Sequence, residues 1–172
     1  MIMPRGQQLL LPVNPLFIVI TLLLALVINM LPLGRIVWLP DWLIVLLAFW
    51  SLNQPQRVGM GLAFMLGLIM DVDRGALLGQ HALAYTLLVY VTGWMSRRLL
   101  WFSSPVQALH LLPLFVAAHG LQVLLRVAAG GIFPGPWFLL APVIETLLWP
   151  VISLLLLAPQ RRAPDSDENR PL

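Results

Sequence analysis

Six apolar stretches occupy most of the chain and constrain how it can fold. They are residues 15–33, 37–52, 58–70, 76–95, 106–127 and 137–158. A helix needs roughly 20 apolar residues to cross about 30 Å of hydrocarbon. The second and third stretches are short for a full span, so five spans with one re-entrant segment are an alternative to six. The sequence LPDW at 39–42 is expected to start the second helix, with Asp41 as its N-cap. We expect an all-α integral membrane protein, a compact bundle of six transmembrane helices.

The charge content also indicates a membrane protein. Only 10% of the residues are charged, whereas about a quarter are charged in soluble domains. The ten positive charges are all arginines, placed singly or in pairs between apolar stretches. This spacing differs from the concentrated basic face of a nucleic-acid-binding protein, so we expect no nucleic-acid partner. The chain has no cysteine, which excludes disulfides and cysteine metal ligands.

The two ends of the chain and its arginines predict the topology. We expect residues 1–14 to be a cytoplasmic segment, residues 15–158 the helical bundle, and residues 159–172 a disordered cytoplasmic tail. Arginines are enriched on the cytoplasmic side of membrane proteins. With six spans, seven arginines share one side and three share the other: Arg5, Arg57, Arg97, Arg98, Arg161, Arg162 and Arg170 against Arg35, Arg74 and Arg126. Both termini are therefore predicted to be cytoplasmic in a multi-pass inner-membrane protein.

A polar turn at residues 67–79, GLIMDVDRGALLG, interrupts the apolar sequence. An Asp-x-Asp pair can bind a divalent cation, but such a site needs further oxygen ligands, and none lies nearby in the sequence. The alternatives are a partner contact and a capped turn, in which Asp73 would neutralise Arg74 or the N-terminus of the next helix. We expect Asp71, which adjoins the apolar stretch, to be the buried carboxylate that caps and connects two helices, so that the turn shapes a surface on which a partner docks.

Five glycines lie in or before this turn: Gly59, Gly61, Gly67, Gly75 and Gly79. They could line a ligand pocket, or they could allow two helices to approach closely, as small residues do in membranes. We expect helix packing.

The fifth and sixth stretches carry the remaining buried charge. His119, Gln122 and Arg126 share one helix face, and Glu145 lies alone within the last stretch. A glutamate in hydrocarbon must be protonated or paired. We expect His119 to be its partner, with Arg126 second because Arg126 lies nearer the membrane face. The pair is either an interhelical strut, which we favour, or part of a proton relay.

The last stretch also contains Trp149 and Pro150, and a proline inside a helix predicts a kink and an unpaired carbonyl. Pro142 predicts a second bend. No nucleophile with a base, phosphate-binding loop or metal-ligand cluster is evident, since the three histidines lack metal-ligand spacing. We therefore expect neither catalysis nor a cofactor.

A co-linear series of motifs extends over about residues 16–157. It consists of LPDW at 39–42, FW at 49–50, PQRVG at 55–59, FMLGLIMD at 64–71, GALLG at 75–79, Tyr90, and LWP at 148–150. In order and spacing this series resembles the bacterial rod shape-determining protein family MreD.

The resemblance implies a non-enzymatic subunit of the machinery that elongates the side wall and builds its peptidoglycan. Its partners would be the scaffold protein MreC, actin-like MreB filaments, a RodA-type glycosyltransferase and its penicillin-binding transpeptidase, with membrane lipid around the bundle. The family's fold is also similar to the substrate-binding subunits of vitamin importers. That similarity supplies the alternative, a small-molecule-binding subunit of an energy-coupled vitamin transporter. The small number of polar groups available to line a pocket argues against this alternative.

Overall fold

The computed structural model describes residues 13–32 and 38–160, and all regular structure within these ranges is helical. The helices are α1 (Pro15–Met30), α2 (Trp42–Asn53), α3 (Met60–Asp73), α4 (Gln80–Leu99), α5 (Ser104–Ala128) and α6 (Leu140–Leu157). Short 3₁₀ helices, Pro136–Leu139 and Ala158–Gln160, flank α6. The predicted all-α class is confirmed, and each predicted stretch overlaps one α-helix.

Two helical segments of the described chain are long and apolar enough to cross a membrane. They are α5 and the continuous segment Pro136–Gln160, each of 25 residues. By contrast, the 12 residues of α2 rise only about 18 Å at 1.5 Å per residue, against a hydrocarbon thickness of about 30 Å. The crossing of all six segments therefore stays a prediction.

The short helix α2 lies at the centre of the bundle. Nine of its twelve residues are buried, and it packs against α1, α4 and α6. The indole N–H of Trp50 donates to Thr21 Oγ1 on α1 at 2.9 Å, and the ring of Phe49 packs against that of Trp149 on α6. A helix that is apolar on all sides is buried on all sides. The other helices, rather than lipid, surround most of α2.

Helices α3 and α4 approach each other closely at Gly67. A Cβ atom on Gly67 would lie 2.3 Å from the Cα of Ala82, so only glycine fits. The packing prediction is right for this glycine. It is wrong for Gly59 and Gly61, where an added Cβ would have no neighbour within 4 Å.

Several helix boundaries differ from the sequence prediction. α2 begins at Trp42 rather than residue 37, because Asp41 is its N-cap, as predicted. α3 continues to Asp73, three residues beyond the apolar stretch, and α4 begins only at Gln80. Pro142 lies in the first turn of α6, where its missing N–H interrupts no hydrogen bond within that helix, and the second bend expected there stays a prediction.

Candidate functional site: a buried polar cluster

One end of the bundle contains a set of buried and half-buried polar side chains, which we call the polar cluster. Here the ends of α1 and α3 meet the beginnings of α2, α4 and α6. The cluster contains at least one residue from, or capping, every α-helix: Asn29, Asp41, Asp71, His81, Tyr85, His119 and Glu145. Buried polar groups are costly unless they are hydrogen-bonded, so these contacts constrain how the helices pack.

Asp41 links three helices through its carboxylate. Its Oδ1 atom accepts hydrogen bonds from Asn29 Nδ2 at 2.6 Å and from the backbone N–H of Leu43 at 3.0 Å. Its Oδ2 atom accepts a hydrogen bond from the hydroxyl of Tyr85. The carboxylate therefore caps α2 and at the same time connects this helix to α1 and α4.

Glu145 connects α6 to α5 and to the start of α2. Its Oε1 atom accepts from the backbone N–H of Asp41 at 2.8 Å and lies 2.8 Å from Nε2 of His119. The structure thus pairs Glu145 with His119, as the sequence predicted, whereas Arg126 is exposed. The second oxygen, Oε2, is buried and has no hydrogen-bond partner among the described residues.

Asp71 caps α4 from the end of α3. Its Oδ2 atom accepts from the backbone N–H of Gly79 at 2.8 Å, and its Oδ1 atom accepts from the backbone N–H of His81 at 2.7 Å. The Nδ1 atom of His81 lies 2.7 Å from the same Oδ1. Because the first N–H groups of a helix have no acceptor within it, α4 receives its cap from the neighbouring helix.

Asp73 and Arg74 take no part in this cap. Both are exposed, and neither forms an ion pair within the part of the chain that the structure describes. The expectation that Asp73 would neutralise Arg74 or the N-terminus of α4 was wrong, because Asp71 reaches that N-terminus from inside the bundle. Nor do the described residues include three acidic, histidine or cysteine side chains grouped closely enough to hold a metal ion.

Gly75 and Gly79 shape the turn through their backbone conformation. Their φ angles are +55° and +101°, in the left-handed region that side chains with a Cβ atom rarely adopt. An added Cβ at either position would meet no atom within 4 Å. The packing explanation predicted for these two glycines is therefore wrong, since the turn needs their conformational freedom.

Trp149 belongs to the apolar core rather than to the polar cluster. It is fully buried, with its ring centroid 6.1 Å from that of Phe49 and 6.2 Å from that of Phe115. Its indole N–H lies 3.4 Å from Oε1 of Gln107 on α5. The following Pro150 lies inside α6, and the kink expected there stays a prediction.

Sequence reasoning did not find Asn29, His81 or Tyr85 as members of the cluster. Asn29 and Tyr85 bond to Asp41 across 12 and 44 residues of sequence. No helical spacing connects residues on different helices, so only the fold could bring them together. Only Asn29 carried a signal in the sequence, because it is a polar residue near the end of an otherwise apolar helix.

The comparisons with known proteins agree with this all-helical, predominantly apolar chain. The family model described as rod shape-determining protein MreD matches residues 7–158. This chain belongs to the MreD family. The curated rod shape-determining protein MreD of Haemophilus influenzae is 31% identical over 129 residues, covering 73% of this chain and 77% of that protein.

Membership of the MreD family confirms the resemblance predicted from the motifs and assigns a rod shape-determining role. MreD is a family of membrane proteins, in agreement with the two helical segments that could span a membrane. No solved structure matches the chain. The expected similarity to vitamin-importer subunits is therefore unconfirmed, and the transporter alternative has no support.

Proposed function

We propose that this MreD-family chain is a non-enzymatic membrane subunit of the assembly that elongates the side wall of rod-shaped bacteria. Besides the family assignment, one structural observation supports a non-enzymatic role. Both carboxylate oxygens of Asp41 and of Asp71 accept hydrogen bonds from the protein itself. These acids are occupied in holding helices together, which suits a subunit that presents a fixed surface to other proteins.

The direct partner in this proposal is an MreC-type scaffold protein. MreB-type filaments, a RodA-type glycosyltransferase and its penicillin-binding transpeptidase belong to the same assembly. The polar turn supports a docking role because its base is buried and hydrogen-bonded while its tip is exposed. Asp71 is 1% exposed, whereas Leu77 and Leu78 are 50% and 69% exposed.

The proposed topology has six membrane segments and two cytoplasmic termini. The described arginines support it, since Arg57, Arg97 and Arg98 lie near one end of the bundle. Arg74 and Arg126 lie at the opposite end, where α3 and α5 finish. Arginines are enriched on the cytoplasmic side of membrane proteins, which supports a cytoplasmic location for the first end. The polar cluster and the turn at 67–79 then face the periplasmic side.

The test is depletion of this chain in its native bacterium, with affinity capture of a tagged copy. Depletion should convert rods to round cells, and the tagged chain should retain the MreC-type scaffold protein after mild solubilisation. Cells that remain rods after the chain has disappeared would contradict the proposal. Capture without the scaffold protein would contradict the assigned partner.

A further inference from the structure

An apolar groove lies on the outside of the bundle between α1 and α3. It has a volume of about 500 Å³, and its lining includes Ile18, Leu22 and Leu23 from α1, Leu62 and Leu66 from α3, and Arg57. Leu23 and Leu62 are 50% and 40% exposed, so the groove is open along its length. Among the described residues that line the groove, only Arg57 is charged.

The Arg57 end of the groove is positively charged. Arg57 donates from Nη1 to the carbonyl oxygen of Val13 at 2.7 Å, which holds the guanidinium beside the start of α1. A guanidinium has five N–H donors, and the described structure occupies one of them. No carboxylate of the described residues forms an ion pair with Arg57.

Two helix N-termini add to this charge. Both α1 and α3 begin at this end of the groove, and a helix N-terminus carries a partial positive charge. Gly59, the N-cap residue of α3, provides no side-chain hydrogen bond to the first N–H groups of that helix. The first N–H groups of α1 already donate to Asn14, so Arg57 and the uncapped N-terminus of α3 are the groups that favour an anion, for which a phosphate group is well suited.

We propose that the groove binds one acyl chain of an anionic phospholipid whose phosphate contacts Arg57. The α1 part of the lining runs from residue 15 to residue 23, about 12 Å at 1.5 Å per residue. That length fits within one leaflet, about half of the 30 Å hydrocarbon thickness. A transmembrane helix of a partner would need about twice that length of groove. The site does not depend on the proposed role in wall elongation.

The test is native mass spectrometry of the purified full-length chain. Micelles would contain phosphatidylglycerol and phosphatidylcholine with the same acyl chains in equal amounts. The unaltered chain should retain one phosphatidylglycerol preferentially, and Arg57→Gln should reduce that preference about fivefold, the effect of one arginine at a membrane surface. The matched control is Arg98→Gln, which removes an exposed arginine at the same end of the bundle but outside the groove. This variant should keep the preference.

Two further measurements test the groove in chains that retain Arg57. Leu62→Trp should fill the groove and lower the retention of phosphatidylglycerol. A photo-crosslinking amino acid in place of Leu62 should give a lipid adduct in cells. The proposal would be overturned if the unaltered chain showed no preference for phosphatidylglycerol, or if the two arginine variants lost that preference equally. It would also be overturned if Leu62→Trp retained phosphatidylglycerol normally, or if the crosslinker at position 62 gave a protein adduct of a single mass.

Discussion

Glu145 on α6 accepts a 2.8 Å hydrogen bond from the backbone N–H of Asp41, a residue 104 positions earlier in the chain. This N–H lies just before α2, where the helix provides no acceptor for it. The side chain of Asp41 in turn binds Asn29 and Tyr85. A single acid on the last helix therefore supports the residue through which α1, α2 and α4 are joined.

The cap on α4 predicts a difference between the two aspartates of the turn. Asp71→Ala should lower stability by about 1–3 kcal/mol, because the backbone N–H groups of Gly79 and His81 would lose a buried acceptor. Asp73→Ala should have little effect, since Asp73 is exposed. Thermal unfolding of the detergent-solubilised protein measures both. Equal losses, or a loss in the Asp73 variant alone, would refute the cap.

The contact between α3 and α4 predicts that two glycines on the same helix respond differently to alanine. Gly67→Ala should destabilise the protein by about 1–3 kcal/mol, because the new methyl group would force the backbone of Ala82 away. Gly61→Ala is the matched control, since a Cβ there meets no atom within 4 Å. Melting temperatures in the same detergent compare the two. A tolerated Gly67→Ala would mean that the helices are not in close contact.

The left-handed backbone at Gly79 predicts a penalty that does not depend on side-chain size. Both Gly79→Ala and Gly79→Leu should lose about 1–2 kcal/mol, because the strain comes from φ near +101° and not from crowding. Gly59→Ala serves as the comparison, with φ at −100°. Unfolding measurements decide between the two causes. If leucine is far worse than alanine, crowding rather than conformation is responsible.

The proposed topology predicts the location of reporters fused along the chain. Fusions after Arg98 and at the C-terminus should be active as cytoplasmic reporters and inactive as periplasmic ones. A fusion after Arg74 should give the opposite result, because α3 and α4 run in opposite directions. A periplasmic C-terminus would show that one of the short segments does not cross the membrane.

The sequence was sufficient to predict the helices and much of their capping. Apolar length located all six, and the aspartate at position 41 was recognised as an N-cap. The exact ends of the helices could not be predicted as well. α3 extends beyond its apolar stretch because Asp71 must reach the start of α4, a constraint that only the packed pair of helices reveals.

The candidate site could be predicted only where two helices are joined by a short connection. Antiparallel packing of α5 and α6 was enough to pair His119 with Glu145. The contact of Glu145 with Asp41 could not be predicted from the sequence, because it depends on the central position of α2 in the bundle. Gly75 and Gly79 were misassigned because a sequence does not distinguish a close helix contact, as at Gly67, from a left-handed turn, as at Gly79.

The central claim is that the polar cluster has a structural role, so the charge of Glu145 should be dispensable while its hydrogen-bond acceptor should not. Glu145→Gln keeps an acceptor for the Asp41 N–H, whereas Glu145→Leu leaves that buried donor unpaired, at a cost of about 1–3 kcal/mol. The decisive measurement is cell shape in the native bacterium, with membrane levels of each variant determined in parallel. We expect rods at normal levels for Glu145→Gln and reduced levels for Glu145→Leu. Round cells carrying Glu145→Gln at normal levels would show that ionisation of Glu145 is needed and would contradict the structural role.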